Sequence, residues 1–194
     1  DDVGIYFDIL NNHAEFFYVD GPISYYSSND GYVTRIIPTY PMTKAEATPK
    51  IEAFNAAVDK VVNAVDESWS DAEKALYIHD FLVNNTVYTS GYYDAYELMI
   101  NHRGVCQAYA ITNTMLLRKV GVNSKVVSSD ALNHAWNLVE IDGQWYYTDA
   151  TWDDPTPNSY GYCRHINLLR SKSGIISTGH NSTDWTDGTA NVTS

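Results

Sequence analysis

The stretch from Asn133 to Asp149 constrains this chain more tightly than any other. Two β-prone runs, His134-Ala135-Trp136-Asn137-Leu138-Val139-Glu140-Ile141 and Gln144-Trp145-Tyr146-Tyr147-Thr148-Asp149, flank Asp142-Gly143. Asp-Gly in that setting specifies a two-residue hairpin, because both turn positions require positive φ. With Asp142 and Gly143 as the turn, Ile141 pairs with Gln144, Trp136 with Asp149 and His134 with Thr151. His134, Trp136, Asp149 and Thr151 then share one face. His134 and Asp149 become diagonal neighbours, roughly 7–8 Å apart at the backbone with side chains within reach. One additional turn residue would carry alternate side chains to the opposite face and destroy the pairing. A carboxylate on one imidazole nitrogen fixes the tautomer and frees the other nitrogen to act as a base. The plain alternative is a hairpin histidine bonded to its neighbour for structural reasons alone.

A second stretch decides what such a histidine could serve. Gly104-Val105-Cys106-Gln107-Ala108-Tyr109-Ala110 opens a helix that is predicted to run to about Lys119. Ala108, Tyr109, Met115 and Leu116 recur at helical spacing, and Gly121 suits the turn that follows. Cys106 falls in the first turn, where unpaired N–H groups and the helix dipole favour negative charge. A free thiol titrates near pH ~8.5; at a helix N-terminus beside histidine its pKa falls to about 3.5–7.5. Taken alone, a helical cysteine is commonly a small core residue. With His134 and Asp149 downstream, the three residues have the types and order of a nucleophile, a base and an orienting carboxylate. The 28 residues from Cys106 to His134 leave room for a helix and a returning strand.

The 194 residues suffice for one domain with a core that needs no disulfide staples. A net charge of −12 argues against nucleic acid or anionic membrane surfaces as partners. No stretch reaches membrane-spanning length. Two cysteines, Cys106 and Cys163, allow either one bridge or two free thiols. A bridge would cancel the nucleophile. The sixteen tyrosines and five tryptophans suit both cores and rigid contact surfaces. The chain begins Asp1-Asp2 without a start methionine, as expected of a segment trimmed of its leader.

Residues 1–41 read as a small β extension. Glu15–Val19, Ile23–Tyr26 and Tyr32–Ile37 are the strand candidates, and Asn29-Asp30-Gly31 is the turn. Residues 42–194 then form the main domain. Thr43-Lys44-Ala45-Glu46 is a capping box, Pro49 is expected to break or restart its helix, and Ile51, Phe54, Val58, Val61 and Val65 make one stripe. A second capping box, Ser70-Asp71-Ala72-Glu73, opens a helix to about Asn84, burying Ala75, Ile78 and Leu82. His79 and Asp80 read as an ordinary helix pair. The absence of His-x-x-x-His and Cys-x-x-Cys gives no support for a zinc site, and no phosphate-binding glycine pattern is present. A short helix is expected over 94–100, a strand over 124–129, another strand over 160–169, and loop from Lys172 onward, anchored by His180 and Trp185. Asn181-Ser182-Thr183 and Asn191-Val192-Thr193 fit glycosylation sequons.

Three motifs in order, Gly104–Ala110, Asn133-His134-Ala135-Trp136-Asn137 and Trp145–Asp153, resemble the transglutaminase-like superfamily, notably its bacterial members. The resemblance spans about residues 70–180 and includes the helix at 70–84 and His180. It implies an α+β, papain-like fold, with the cysteine helix packed on an antiparallel sheet. It also implies Cys106 as nucleophile, His134 as general base and acid, and Asp149 as the histidine's partner. Family chemistry is acyl transfer from an amide through a thioester, resolved by an amine or by water. The sequence departs at Ala150, where many relatives carry proline after the aspartate. Nothing in it signals the calcium dependence of animal enzymes, and no metal or cofactor is expected.

The implied substrate is a protein or peptide, of the cell wall or cell surface, and family habit points to a secreted or surface location. Trp136 and Trp152 are candidates for lining a substrate cleft, with core packing as the alternative. Gln107 and a tyrosine from 88–96 are candidates to join the Cys106 N–H in stabilising an oxyanion. The rival function is a non-catalytic cell-surface binding module that keeps the scaffold.

Overall fold

The computed structural model describes residues 2–155 and 162–186. The described chain begins with helix α1 (Asp2–Asn12), a single 3-10 turn (Ala14–Phe16) and the β1 (Asp20–Ser27) and β2 (Val33–Thr39) ribbon. Helices α2 (Lys44–Val62) and α3 (Asp71–Asn85) follow, then β3 (Val87–Tyr88), α4 (Ala95–Asn101) and β4 (Arg103–Gly104). The centre is α5 (Cys106–Lys119), β5 (Ser124–Ser129), β6 (His134–Ile141) and β7 (Gln144–Thr148), after which come α6 (Ala150–Asp153) and α7 (Lys172–Ser177). The architecture is α+β.

Helix α5 is the axis. Every residue from Ala108 to Leu117 is buried, so the helix is enclosed on all sides. Phe54 and Val58 of α2, Ile78 and Leu82 of α3, and Leu98 of α4 pack in one core cluster with Tyr109, Met115, Leu116 and Val139. The antiparallel sheet β5-β6-β7 closes the remaining side. Asn137 of β6 donates to Ala110 O (2.8 Å) and Thr114 Oγ1 (2.9 Å) and accepts from Asn113 Nδ2 (2.9 Å), all buried. These bonds fix α5 against β6 in rotation and height, which dispersion contacts alone would leave looser. The other face of the sheet holds a second cluster of Val127, Trp136, Leu138, Tyr147 and Ile175.

The hairpin has the register that its turn dictates. Ile141 pairs with Gln144 and Asn137 with Thr148, and Asp142 (φ 51°) and Gly143 (φ 76°) both take the left-handed conformation. The ladder stops at Thr148, so Asp149 does not pair with Trp136 nor Thr151 with His134. Asp149 instead caps α6, its Oδ1 accepting from Thr151 N (2.9 Å) and Trp152 N (3.2 Å). A capping aspartate turns the chain out of the sheet at that point.

Other expectations need correcting. Glu15–Val19 is not a strand: residues 2–12 are helical and 14–16 form the 3-10 turn, leaving β structure in this region to β1 and β2. Phe17 packs on Phe54 and Tyr96, which brings this segment into the main core. Both capping boxes form. Pro49 does not break α2; it lies near the start of the helix on an exposed face, where the single carbonyl it leaves unpaired, that of Ala45, meets water. Val65 lies beyond the end of α2. Residues 162–169 contain no strand; the segment meets the sheet through the bridge between Arg170 and Tyr147 and through Leu169 N donating to Thr148 Oγ1 (3.0 Å). The expected loop after Lys172 begins as α7. Tyr160 and Asn191 lie outside the described residues. Among the described residues, no helix is long and apolar enough to cross a membrane.

Candidate active site

The approach to Cys106 is built by backbone. Tyr88 and Gly104 pair in a two-residue parallel bridge. Thr89 N donates to Gly104 O (2.9 Å) and Val105 N to Tyr92 O (2.8 Å), so the chain is held on both sides just before α5 begins. A Cβ at Gly104 would lie 2.7 Å from Leu98 Cδ1 and 2.8 Å from Ala108 Cβ. The glycine therefore permits the close approach that sets Cys106 as the first residue of the helix. His134 and the backbone N–H groups of Ala135 and Gln107 lie close enough to the Cys106 thiol to lower its pKa.

His134 opens β6 and is nearly buried. Its Nε2 donates to Asp149 Oδ2 at 2.7 Å, which leaves Nδ1 for the sulfur. The ring stacks on Trp152 (centroids 4.9 Å, 21°) and on Trp136 (5.7 Å, 19°). Asp149 is 1% exposed, yet every direction around its carboxylate is occupied. Oδ2 also accepts from His180 Nε2 at 2.9 Å, and Oδ1 is taken by the N-terminus of α6.

The electrostatics follow from these contacts. Burial pushes the Asp149 carboxyl up, but His134 and His180 overcome it and hold the group down at about 2. Burial likewise disfavours imidazolium at His134, and Asp149 and Cys106 reverse that and raise it to about 9. For Cys106, burial raises the thiol, while His134 and the two N–H groups outweigh it and bring it below the ordinary thiol range. The opposed shifts favour a thiolate and imidazolium pair over the neutral pair.

The sequence candidates divide. Cys106, His134 and Asp149 come together. Trp152, about a third exposed, lines a cleft of about 640 Å³ with Tyr88, His134, Asp154, Arg164 and Ile166. Trp136 is not in that cleft: it is 1% exposed, packed edge-on against Trp185, and backs the histidine. Gln107 is exposed and lines a different cavity, of about 470 Å³, with Tyr93, Phe17 and His13. His180 is the functional neighbour whose contact sequence reasoning missed. It lies 31 residues after Asp149, in a Gly/Ser/Thr/Asn-rich segment, and no local pattern ties the two together.

Cys106 and Cys163 are both free thiols. Cys163 also lies beside an aspartate and histidines, since its Sγ is 3.2 Å from Asp80 Oδ1. Its surroundings differ in kind. It sits on an irregular segment, lacks a helix N-terminus, and donates to a carboxylate.

The sequence matches the transglutaminase-like superfamily over residues 43–150, more than half of the chain. No curated protein matches it. Among solved structures it is similar to a TGase (14% identity, TM-score 0.49, covering 73% of this chain and 46% of that one). It is also similar to a candidate cysteine protease from Cytophaga hutchinsonii (18%, TM-score 0.42, covering 73% and 65%). LapG of Legionella pneumophila is more distant (15%, TM-score 0.34, covering 56% and 66%). The chain thus spans less than two thirds of the length of the first two of these structures. The extent of the sequence match, over the segment that folds into the α5–β6–β7 unit, establishes that the chain belongs to the transglutaminase-like superfamily.

Proposed function

We propose that the protein is a cysteine-dependent acyl transferase acting on protein or peptide amides, with Cys106 as nucleophile, His134 as general acid and base, and Asp149 as the group that orients it. The observation that carries this reading is one arrangement: Cys106 at the head of α5, near enough to His134 for each to shift the other's pKa, and His134 Nε2 bonded to Asp149 at 2.7 Å. The Cys106 thiolate attacks the amide carbonyl, a C–S bond forms, and the carbonyl π electrons move to oxygen. The His134 imidazolium gives its proton to the departing nitrogen, the C–N bond breaks, and a thioester remains. An amine or water then attacks the thioester and gives a proton to His134, and the C–S bond breaks to restore the thiolate.

The Cys106 N–H is the first oxyanion donor. We assign the second to Tyr88, which lines the cleft beside His134. Burial first, then the negative charge of Cys106, raises its pKa, so it keeps its phenolic proton. Cys106 is expected to react with iodoacetamide faster than Cys163, and to lose that advantage in His134→Ala. Equal, slow labelling of both would overturn the reading. Product analysis with a glutamine peptide, with and without a primary amine, separates cross-linking from hydrolysis.

A further inference from the structure

Away from Cys106, a second group of side chains converges from distant parts of the chain. His79 and Asp80 are consecutive on α3. Cys163 and His165 lie on the irregular segment that returns after α6. Asp80 Oδ1 is 3.2 Å from His79 Nδ1, 3.2 Å from Cys163 Sγ and 2.7 Å from His165 Nε2. One ligand atom from each of the four residues lies within 4.8 Å of all the others. Tetrahedral zinc, with bonds of about 2.0–2.3 Å, needs ligand edges of roughly 3.3–3.8 Å. The edges from Asp80 fall short of that by about half an ångström or less, an expansion that side-chain rotation supplies.

The support behind the first ligand is already in place. His79 is fully buried, and its Nε2 donates to Asp153 Oδ2 at 3.1 Å. Asp153 is held in turn by Asn167 N (2.9 Å) and Asn167 Nδ2 (3.0 Å). A carboxylate behind one imidazole nitrogen fixes the tautomer that presents the other nitrogen's lone pair, which is the usual arrangement around metal-bound histidine. Exposure grades from buried His79 through half-buried Asp80 and Cys163 to exposed His165, which leaves a route for an ion to enter.

We propose that His79, Asp80, Cys163 and His165 form a structural site for a divalent zinc-type cation. One thiolate, two imidazoles and one carboxylate suit a borderline cation, and the two anionic ligands neutralise its charge. The site would pin residues 162–167 to α3. The same segment presents Arg164 and Ile166 to the cleft of the candidate active site, on the alternate positions to Cys163 and His165. Its ligands do not include the Cys106 site, so it stands or falls independently of the proposed reaction.

The test is zinc and cobalt(II) binding to the full chain carrying Cys106→Ala, which removes the other thiol. We expect one equivalent of zinc retained through gel filtration, and a cobalt complex with a thiolate charge-transfer band. In the Cys106→Ala background, Cys163→Ser should abolish that band, and His165→Ala, at an exposed position that leaves the core intact, should weaken zinc binding at least ~10-fold. Failure of the Cys106→Ala chain to bind one equivalent would overturn the site. So would binding unchanged by both Cys163→Ser and His165→Ala.

Discussion

Two histidines share one oxygen of Asp149, and that sharing makes the tautomer of His134 sensitive to a single atom. In Asp149→Asn an amide NH₂ at that oxygen's position would face both imidazoles and force His134 to carry its proton on Nδ1, toward the sulfur. Acyl transfer should fall by about 10³-fold or more, and the His134-dependent labelling of Cys106 should disappear with it. His180 acts through Asp149 and is a positioning residue. His180→Ala should lower kcat with little change in KM, and should move the pH dependence of Cys106 alkylation upward. The lowered Cys106 thiol predicts that alkylation of wild type rises at lower pH than alkylation of Cys163. The activity should decline on the alkaline side as His134, raised to about 9, loses its proton. Asp149 is one of the carboxylates that make the fold sensitive to acid. Its folded pKa of about 2 lies below the unfolded value of about 3.9, so its contribution is complete above pH ~4 and is lost as pH falls toward 2. At this scale the approach of His134 to Asp149 was legible from the hairpin signal and the family resemblance together, although Asp149 reaches the ring from just beyond the end of the ladder. His180 was not, because its contact depends on where a turn-rich tail comes to rest.

The elements show the same division between local and global signals. Both capping boxes and the Asp142-Gly143 turn act within a few residues, and the sequence displays them openly. The complete burial of α5 is different. The polar residues Thr112, Asn113 and Thr114 are all buried, and Asn113 and Thr114 engage Asn137 across the helix–sheet interface. Asn137→Ala would leave the Asn113 amide N–H without its partner and strip Ala110 O and Thr114 Oγ1 of one bond each in the interior. We expect a loss of about 2–4 kcal/mol, measured as a shift in the urea midpoint with unchanged slope. The strand end at Thr148 was also within reach of the sequence, since an aspartate at 149 is a good helix cap; the hairpin count simply ran past it.

Over the whole molecule, the two ends of the described chain complete the core. Ala14 and Phe17 pack with the α5 cluster, and Arg118 reaches Asn12 O (3.2 Å). At the other end, Ile175 is fully buried, His180 holds Asp149, and Trp185 packs on Trp136 and Tyr147. A chain ending at Ser171 would uncover Trp136 and Tyr147. It should fail to fold cooperatively, seen as loss of near-UV circular dichroism and of a sharp thermal transition. His180 and Trp185 were expected as anchors, but the buried Ile175 and its short helix were not, because Gly, Ser, Thr and Asn dominate the tail.

One short turn connects these observations. Asp149 meets His134 and His180, Asp153 meets His79, and Asp154 receives the Tyr109 hydroxyl at 2.5 Å, so α6 and its flanks tie β6, α3 and α5 together. Harm to reactivity and harm to folding are therefore inseparable in this hexapeptide. A library randomised over 149–154 and sorted by cellular abundance would discard most of its inactive members before any assay was run, whereas one randomised at Cys106 would retain them.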